Sequence, residues 1–439
     1  MVGYNSGISF GRNFQKQFKM TPSEYIKNNF VLKNWFYKMN KLILLTLVFI
    51  FFTGCGPEEI IEPEVLVIEE PADTSSWVIE EIESGKPISS IEWELPEKIS
   101  HEIFSASYPR ICQVNNNTLF LVYHGGDPNN SWDTIYLRKS FDRGSTWSEV
   151  TILMQDNNPN YWGFSNPELL KLRNGRILLA FTGRGKPDDN EHGNIQVMHS
   201  DDNGETWTSP RIVAYGRSWE PAMIQHPRGD IMLFYSSEAQ WWGQVPFDET
   251  QQEILMVSSD NDGNSWSLPK TVAYTNGKRD GMPVSLVLKG QSGILFAIES
   301  VGNMDSPWLL HSTLENRFKE KASITRWLAA PKTLVDFGGG PYIAQLPTGE
   351  TILSLHDTGG REIGSDWRKN TMYVLIGDSS GRNFSKLSFP FPNLPVDEGA
   401  FFNSIHVLDK NTVLALSSRI FSDLHSEVHC VKGKIIREL

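Results

Sequence analysis

The sequence predicts an all-β chain closed into a six-bladed propeller, and three observations predict it. Six segments share one outline, an apolar strand, a polar turn and a second apolar strand, and they recur every 50–60 residues or so. Further strand-like stretches lie between them, DTIYLRKS and SEVTILM for example, so each unit has room for four strands. No clear helical pattern interrupts the series. A single long sandwich is the competing all-β fold, but it would not repeat in this way.

The chain has 439 residues, 39% of them hydrophobic, which is ample for a large core. A formal net charge of −12 argues against nucleic acid as a partner. Much of that acidity is local. Gly56 to Gly85 hold ten Asp or Glu and no Lys or Arg, which reads as a solvated tether over 56–90. Ahead of it, MNKLILLTLVFIFFTGC at 39–55 has a charged start, an apolar run too short to span a bilayer comfortably, and a cysteine at its end. That ending resembles a bacterial lipobox, which implies cleavage before Cys55 and lipidation of its thiol. The expected place is then the cell envelope, with the outer membrane and surface exposure as the sharper expectation. An ordinary signal or membrane anchor is the alternative. Residues 1–38 contain GISFGRNFQKQFKMTPSEYIKNNF, which resembles the last helix-turn-helix stretch of AraC-type regulators. They read as the tail of a neighbouring regulator or as a mis-called start.

The propeller is expected over 91–439. Its six repeats are YPRICQVNNNTLFLVYHGGD, NPELLKLRNGRILLAFTGRG, WEPAMIQHPRGDIMLFYSSE, GMPVSLVLKGQSGILFAIES, PYIAQLPTGETILSLHDTGG and AFFNSIHVLDKNTVLALSSR. ISSIEWELPEK precedes the first and is a candidate for the strand that closes the ring. Three repeats continue into one signature: SFDRGSTW at 140–147, SDDNGETW at 200–207 and SDNDGNSW at 259–266, with a fainter GDSSGRNF at 377–384. These match the Asp-box. The Asp or Asn caps the turn's own amides, Gly permits a positive φ, and Trp packs under the blade. The acidic spacing is wrong for a calcium loop. Cys112 and Cys430 lie in the first and last parts of the ring, as a possible disulfide or as two buried thiols. Nothing among the cysteines and histidines spaces like a metal site, and no cofactor is expected.

In a four-stranded meander the 1–2 and 3–4 turns share one end, so the Asp-boxes and Asn/Gly turns mark the bottom. The opposite end collects the charged residues. Strand starts there carry Arg110, Asn166, Glu168, Glu220, Arg279, Asp280 and Tyr342; strand finishes carry His124, Asp127, Arg184, Glu238, Glu299, Asp357, Arg361 and Arg419. A funnel mouth lined in this way is the expected binding site. Carboxylates among arginines, without a cysteine nucleophile, suggest glycoside chemistry, and Glu220 and Glu299 come from adjacent blades as a plausible pair. Glu238 is the alternative partner. Any one of these glutamates could instead be ion-paired with Arg184, Arg279 or Arg361. Trp162 and Trp219 are either sugar-stacking platforms or inter-blade packing.

The Asp-boxes and YPRI resemble the sialidase superfamily. SWEPAMI at 218–224, YSSE followed by QQEILMVSSDNDGNSW, and KRDGMPVSLVL at 278–288 resemble glycoside hydrolase family 93, the exo-α-1,5-L-arabinanases. The resemblance covers roughly 95–439 and implies a six-bladed propeller releasing arabinobiose with retention. Carried onto this chain, it implies Glu220 as nucleophile and Glu299 as acid/base, with the roles open to exchange. Arg110, His124, Asp127, Asn166, Arg184, Trp219, Glu238, Arg279, Asp280, Tyr342, Asp357 and Arg361 are the expected substrate contacts. Tyr342 is the candidate for the family's tyrosine near the nucleophile, against Phe401 and Phe402 in the last blade. Two rivals stand. One is an exo-α-sialidase, with Arg110 as first arginine of a triad and Asp127 or Asp133 as acid. The other is a non-catalytic glycan-binding lipoprotein held at the surface.

Overall fold

The structure is a computed structural model and describes residues 77–438, except 102, 128–129, 156–160, 186–192, 242–243, 246–248, 291–292, 302–306, 321–323 and 365. The lipobox, most of the acidic tether and the stretch resembling a regulator lie outside the described residues. The fold is a six-bladed β-propeller in which five blades are four-stranded antiparallel meanders and the sixth is a five-stranded antiparallel sheet. Blade one holds β3 (Phe104–Gln113), β4 (Leu119–Asp127), β5 (Asn130–Ser140) and β6 (Thr151–Met154). Blade two holds β7 (Tyr161–Lys171), β8 (Ile177–Gly185), β9 (Asn194–Ser200) and β10 (Arg211–Tyr215). Blade three holds β11 (Ser218–Gln225), β12 (Ile231–Ser237), β13 (Glu253–Ser259) and β14 (Lys270–Ala273). Blade four holds β15 (Arg279–Val287), β16 (Gly293–Val301), β17 (Trp308–Thr313) and β18 (Thr325–Leu328). Blade five holds β19 (Gly339–Gln345), β20 (Thr351–Asp357), β21 (Thr371–Gly377) and β22 (Ser385–Ser388).

Blade six closes the ring. Its strands β23 (Gly399–Asp409), β24 (Thr412–Ile420) and β25 (Ser426–Arg437) take their fourth partner from the other end of the chain, β1 (Ile88–Trp93), while β2 (Glu97–Lys98) pairs nearer the start of β25. ISSIEW thus gives blade six the outer strand that the other five blades draw from their own stretch of chain, and ties the start of the ring to its end. The core sits between blades. Six apolar clusters occupy the six blade–blade interfaces, and the inner and middle strands, buried on both faces, feed alternate side chains to the two neighbouring clusters. Cys112 packs in the cluster between blades one and two, Cys430 in that between six and one, so both remain free thiols. Burial pushes each up to about 12.

The three Asp-boxes build one turn. Ser140, Ser200 and Ser259 Oγ accept from the amides of Gly144, Gly204 and Gly263, at 2.7, 2.8 and 2.9 Å. Asp142, Asp202 and Asn261 Oδ1 accept from the amides of Thr146, Thr206 and Ser265. Asn261 serves because its Nδ2 donates to Ser265 Oγ where Asp142 accepts from the Thr146 hydroxyl. GDSSGRNF forms a related turn, with Asp378 Oδ1 accepting from the amides of Ser380 and Arg382.

The acidic segment was expected to run as tether to residue 90. Its last part lies instead along the bottom turns. Val78 N–H donates to Pro227 O, Glu80 O accepts from Gly290 N–H at 2.7 Å, and Glu83 N–H donates to Pro347 O at 2.8 Å. Trp77 meets His226 edge-on at 5.5 Å against the cluster between blades three and four. Trp77, Ile79 and Ile82 supply apolar anchors that the charge count passes over.

Candidate functional site

All six innermost strands break register near their upper ends, and the break is what builds the site. At each break one residue has positive φ: Tyr108, Asn166, Glu220, Met282, Gly340 and Phe402, with φ between 48 and 59°. In five blades the next residue is proline, which a ladder position would not tolerate but a bulge does. The residue preceding each bulge pairs with His124, Thr182, Ser236, Glu299, His356 and Ser418 of the second strands. Two positions beyond each bulge stand Arg110, Glu168, Ala222, Val284, Tyr342 and Ser404. Three sets of six equivalent residues therefore recur around the upper end of the inner hairpins, and the site is read off by asking which members carry chemistry.

Glu220 is the bulge residue of blade three, and Glu299 is a second-strand residue of blade four. Glu220 Oε2 accepts from Ser236 Oγ and from the Met282 amide, both at 2.8 Å. Glu299 Oε2 accepts from the Gly340 amide at 2.7 Å. Each carboxylate is thus tied to the bulge of the next blade, where the broken ladder frees an amide. Both are half-buried. That burial, with the charge of Glu220 next, pushes Glu299 up to about 7. Burial also raises Glu220, opposed by its two hydrogen bonds and by Arg279. The two carboxyls are close enough to act on each other, and only Glu220 is held by two donors.

The other expected residues divide sharply. Arg184 lies over Trp219 at 5.0 Å, and Arg217 lies over the same ring at 4.9 Å, so Trp219 is sandwiched between guanidinium groups. Trp162 remains exposed, with Arg184 5.9 Å from its ring. His124 Nδ1 accepts from the Asn166 amide at 3.3 Å, and burial together with Arg184 and Arg110 lowers its pKa to about 3. Glu238 pairs with Arg217 at 2.6 Å and with Arg279, one of the arginines the sequence offered it. Tyr342 sits deeper, 5.1 Å from the Arg110 guanidinium, its hydroxyl pKa raised by burial. Asp127 ends β4, and its side chain lies outside the described ones.

Four residues expected to contact substrate are spent on the protein itself. Arg110 is 1% exposed, pairs with Glu168 at 3.3 Å and donates to the Pro109 and Asn403 carbonyls. Asp280 is fully buried between Arg326, Thr275 and Ser300. Asp357 accepts from the amides of Phe337, Gly338 and Thr358 and so fixes two loop ends. Arg361 donates to the carbonyls of Thr358, Leu394, Pro395, Glu398 and Lys369. Position at the end of a strand marked these four, but loops at that end need anchors as well. Arg419 is similarly held by Glu398 and Gly399 O.

Sequence reading missed Ser236, Arg217 and an aromatic arc. Phe337 stacks on His356 (5.6 Å), His356 on Trp367 (5.9 Å), Trp367 tilts on Phe402 (5.4 Å), and Phe402 meets Tyr108 at 5.5 Å. Trp367, carried on a short 3-10 helix at Trp367–Lys369 that Asp366 caps, keeps 41% of its surface exposed. The mouth is thus divided, charged along blades two to four and aromatic along blades five, six and one. The X-Pro step in five repeats was the available signal for the bulge ring. Nothing marked Trp367. Among the described residues no group of His, Cys, Asp and Glu is arranged to hold a metal ion.

Residues 178–322 match the model of the BNR repeat-like domain. Among curated proteins the sequence finds no match. Its structure is similar to that of a protein of unknown function from Dyadobacter fermentans, with TM-score 0.62 and 16% identity over 79% of this chain and 100% of that one. It is also similar to the GH93 α-L-arabinofuranosidase of Fusarium graminearum in complex with arabinobiose, with TM-score 0.58 and 17% identity over 77% and 97%. A Hadza microbial sialidase follows, with TM-score 0.55 and 13% identity over 74% and 65%. The fold is that of sialidase-type propellers. At these identities the likeness speaks for the fold, and the chemistry rests on the side chains above.

Proposed function

We propose that the protein is a retaining glycoside hydrolase acting on neutral sugars, with α-L-arabinofuranosyl linkages as its substrate and arabinobiose released from linear α-1,5-arabinan. The observation that carries this reading is a coupled carboxyl pair in unequal surroundings: Glu299 pushed up to about 7, Glu220 held by a hydroxyl and an amide. Such inequality lets one carboxyl keep a proton while its neighbour stays ionised. In the first step a Glu220 oxygen bonds to the anomeric carbon, the bond to the leaving sugar breaks, and the Glu299 proton passes to the leaving oxygen. In the second, water attacks the same carbon, Glu299 takes its proton, and the bond to Glu220 breaks. Binding of arabinobiose by the Fusarium relative is in keeping with this choice of sugar.

The arginines favour a neutral sugar over a sialic acid. A grip on a sugar carboxylate requires guanidinium groups with donors to spare, yet Arg110 is tied to Glu168 and two carbonyls, and Arg361 to five carbonyls. Trp367, in contrast, carries exposed ring surface on which a sugar can pack. We propose further that the chain is anchored at the cell envelope through a lipidated Cys55. Incubation of the protein with linear α-1,5-arabinan and, separately, a fluorogenic sialoside tests the activity. Arabinobiose, lost in Glu220→Gln, is the expected product; free sialic acid, or arabinan binding without turnover, would overturn the reading.

A further inference from the structure

Beside the carboxylate pair lies a charge-dense group that neither chemical step uses. Glu238 follows β12, is 3% exposed, and accepts from Arg217 Nε at 2.6 Å and from Arg279 Nη2. Arg279 Nη1 donates in turn to the Thr250 carbonyl at 3.0 Å. The planar guanidinium is therefore held at both terminal nitrogens, which fixes its plane as well as its position. Two arginines about one carboxylate leave a positive charge over, and the ladder of blade four pairs Arg279 with Val301 and Gly281 with Glu299, which sets Arg279 on the same sheet face as Glu299, two residues along. A buried carboxylate present only to be neutralised would have needed one of them.

We propose that Glu238 is a positioning residue, which together with the Thr250 carbonyl clamps the Arg279 guanidinium in place beside Glu220 and Glu299, so that Arg279 governs how that pair holds its proton. The proposal rests on the hydrolase reading for its purpose. Its geometry and its test do not. The groups acting on Glu220 are Arg279 of blade four and Glu238 of its own blade, and Glu220 acts on Glu299 of blade four and on Tyr108 of blade one. Arg279 favours the ionised form of both carboxyls, whereas Glu238 disfavours ionisation of Glu220. Removing Glu238 thus has two opposite consequences. Loss of its own charge lets Glu220 ionise more easily; release of Arg279 makes both carboxyls ionise less easily.

The sign decides. In the full chain labelled with carboxyl-13C glutamate, NMR titration follows both groups, assigned with Glu220→Gln and Glu299→Gln. Glu238→Ala is expected to move both midpoints upward, that of Glu299 by at least about half a pH unit. Arg279→Met should do the same, and the double variant should add nothing further. Glu238→Gln, which keeps the volume but offers only a neutral acceptor, should move them the same way by less. A downward shift of Glu220 would reduce Glu238 to a bystander charge. Unmoved midpoints with a lowered melting temperature would reduce it to a structural ion pair. Either result overturns the proposal. Because titration requires no turnover, a protein inactive on arabinan would sink the hydrolase reading and leave this one to stand or fall by itself.

Discussion

Glu299→Gln is expected to abolish turnover and, above neutral pH, to make the protein more stable. Glu299 is moved from an ordinary 4.5 to about 7, first by burial and then by the charge of Glu220. The folded state therefore holds this proton more tightly than the unfolded chain does. Stability from this group is complete below pH 4.5, falls as pH rises through the window to about 7, and is level beyond it. At 1.36 kcal/mol per pH unit the loss has an upper limit of about 3 kcal/mol, since water in the funnel screens part of it. Glutamine has no proton to lose and can still accept from the Gly340 amide. With an unfolding entropy of about 2.1 cal/mol/K per residue over Trp77–Leu439, that limit corresponds to about 4 °C. Thermal unfolding at pH 4, 6 and 8, followed by circular dichroism, should give coincident midpoints at the first and a higher midpoint for the variant at the last. A variant no more stable than the parent at pH 8, or equally favoured at pH 4, would refute the reasoning. Glu168 is a second case. It too is pushed up to about 7 with the pairing to Arg110 included, so Glu168→Gln should show the same trend, its midpoint rising relative to the parent's between pH 4 and pH 8.

Three further outcomes follow from the same geometry. Glu220→Gln should lower the Glu299 titration seen by carboxyl NMR, though not to 4.5, because burial is the larger cause and remains. Trp367→Ala removes an exposed ring worth about 0.5–1.5 kcal/mol in stacking, so KM for arabinan should rise about 3- to 10-fold with kcat little changed. Gly340→Ala places a methyl at φ 52° and 2.8 Å from the His356 ring, and the melting temperature should fall by an amount equivalent to about 1–3 kcal/mol.

What the sequence made legible was periodic. Six repeats and three Asp-boxes specify blades, their order and their lower end, because each box must satisfy its own amides wherever it occurs. Closure by ISSIEW was legible for the same reason, as an unclaimed strand beside an incomplete last blade. The pair Glu220 and Glu299 could be drawn from position and resemblance together. Partnership could not. Asp280, Asp357 and Arg361 share end-of-strand positions with Glu299, and only three-dimensional contacts reveal that their polar atoms are already used. The aromatic arc was equally invisible, since Phe337, His356, Trp367, Phe402 and Tyr108 come from blades five, six and one and the loops before and between their strands, without a shared spacing. Composition misjudged the end of the acidic segment, where a charge count overlooked Trp77 and Ile82.

One local feature invites a stronger claim than it supports. Glu220 has φ 56°, and a bulky residue in that region is often taken as strain stored for catalysis. The other five blades argue against this. Tyr108, Asn166, Met282 and Phe402 adopt the same conformation at φ 59, 50, 49 and 48°, and Gly340 does so at 52°. The conformation is thus a property of the bulge that every inner strand requires, and its cost is borne at five non-glycine positions whether or not chemistry occurs there. What distinguishes blade three is the side chain placed on that bulge and the donors that meet it. Ser236 and the Met282 amide would meet any group of that length, but an ionised carboxylate gains more from the two donors than a neutral acceptor does. Ser236→Ala should therefore leave the fold intact and raise the acidic limb of the pH–rate profile, because Glu220 loses a hydrogen bond to its ionised form. If strain were the source of activity, that limb would not move. The same substitution at Ser418, which serves the bulge of blade one by accepting from the Tyr108 amide at 3.0 Å, should leave the limb where it is.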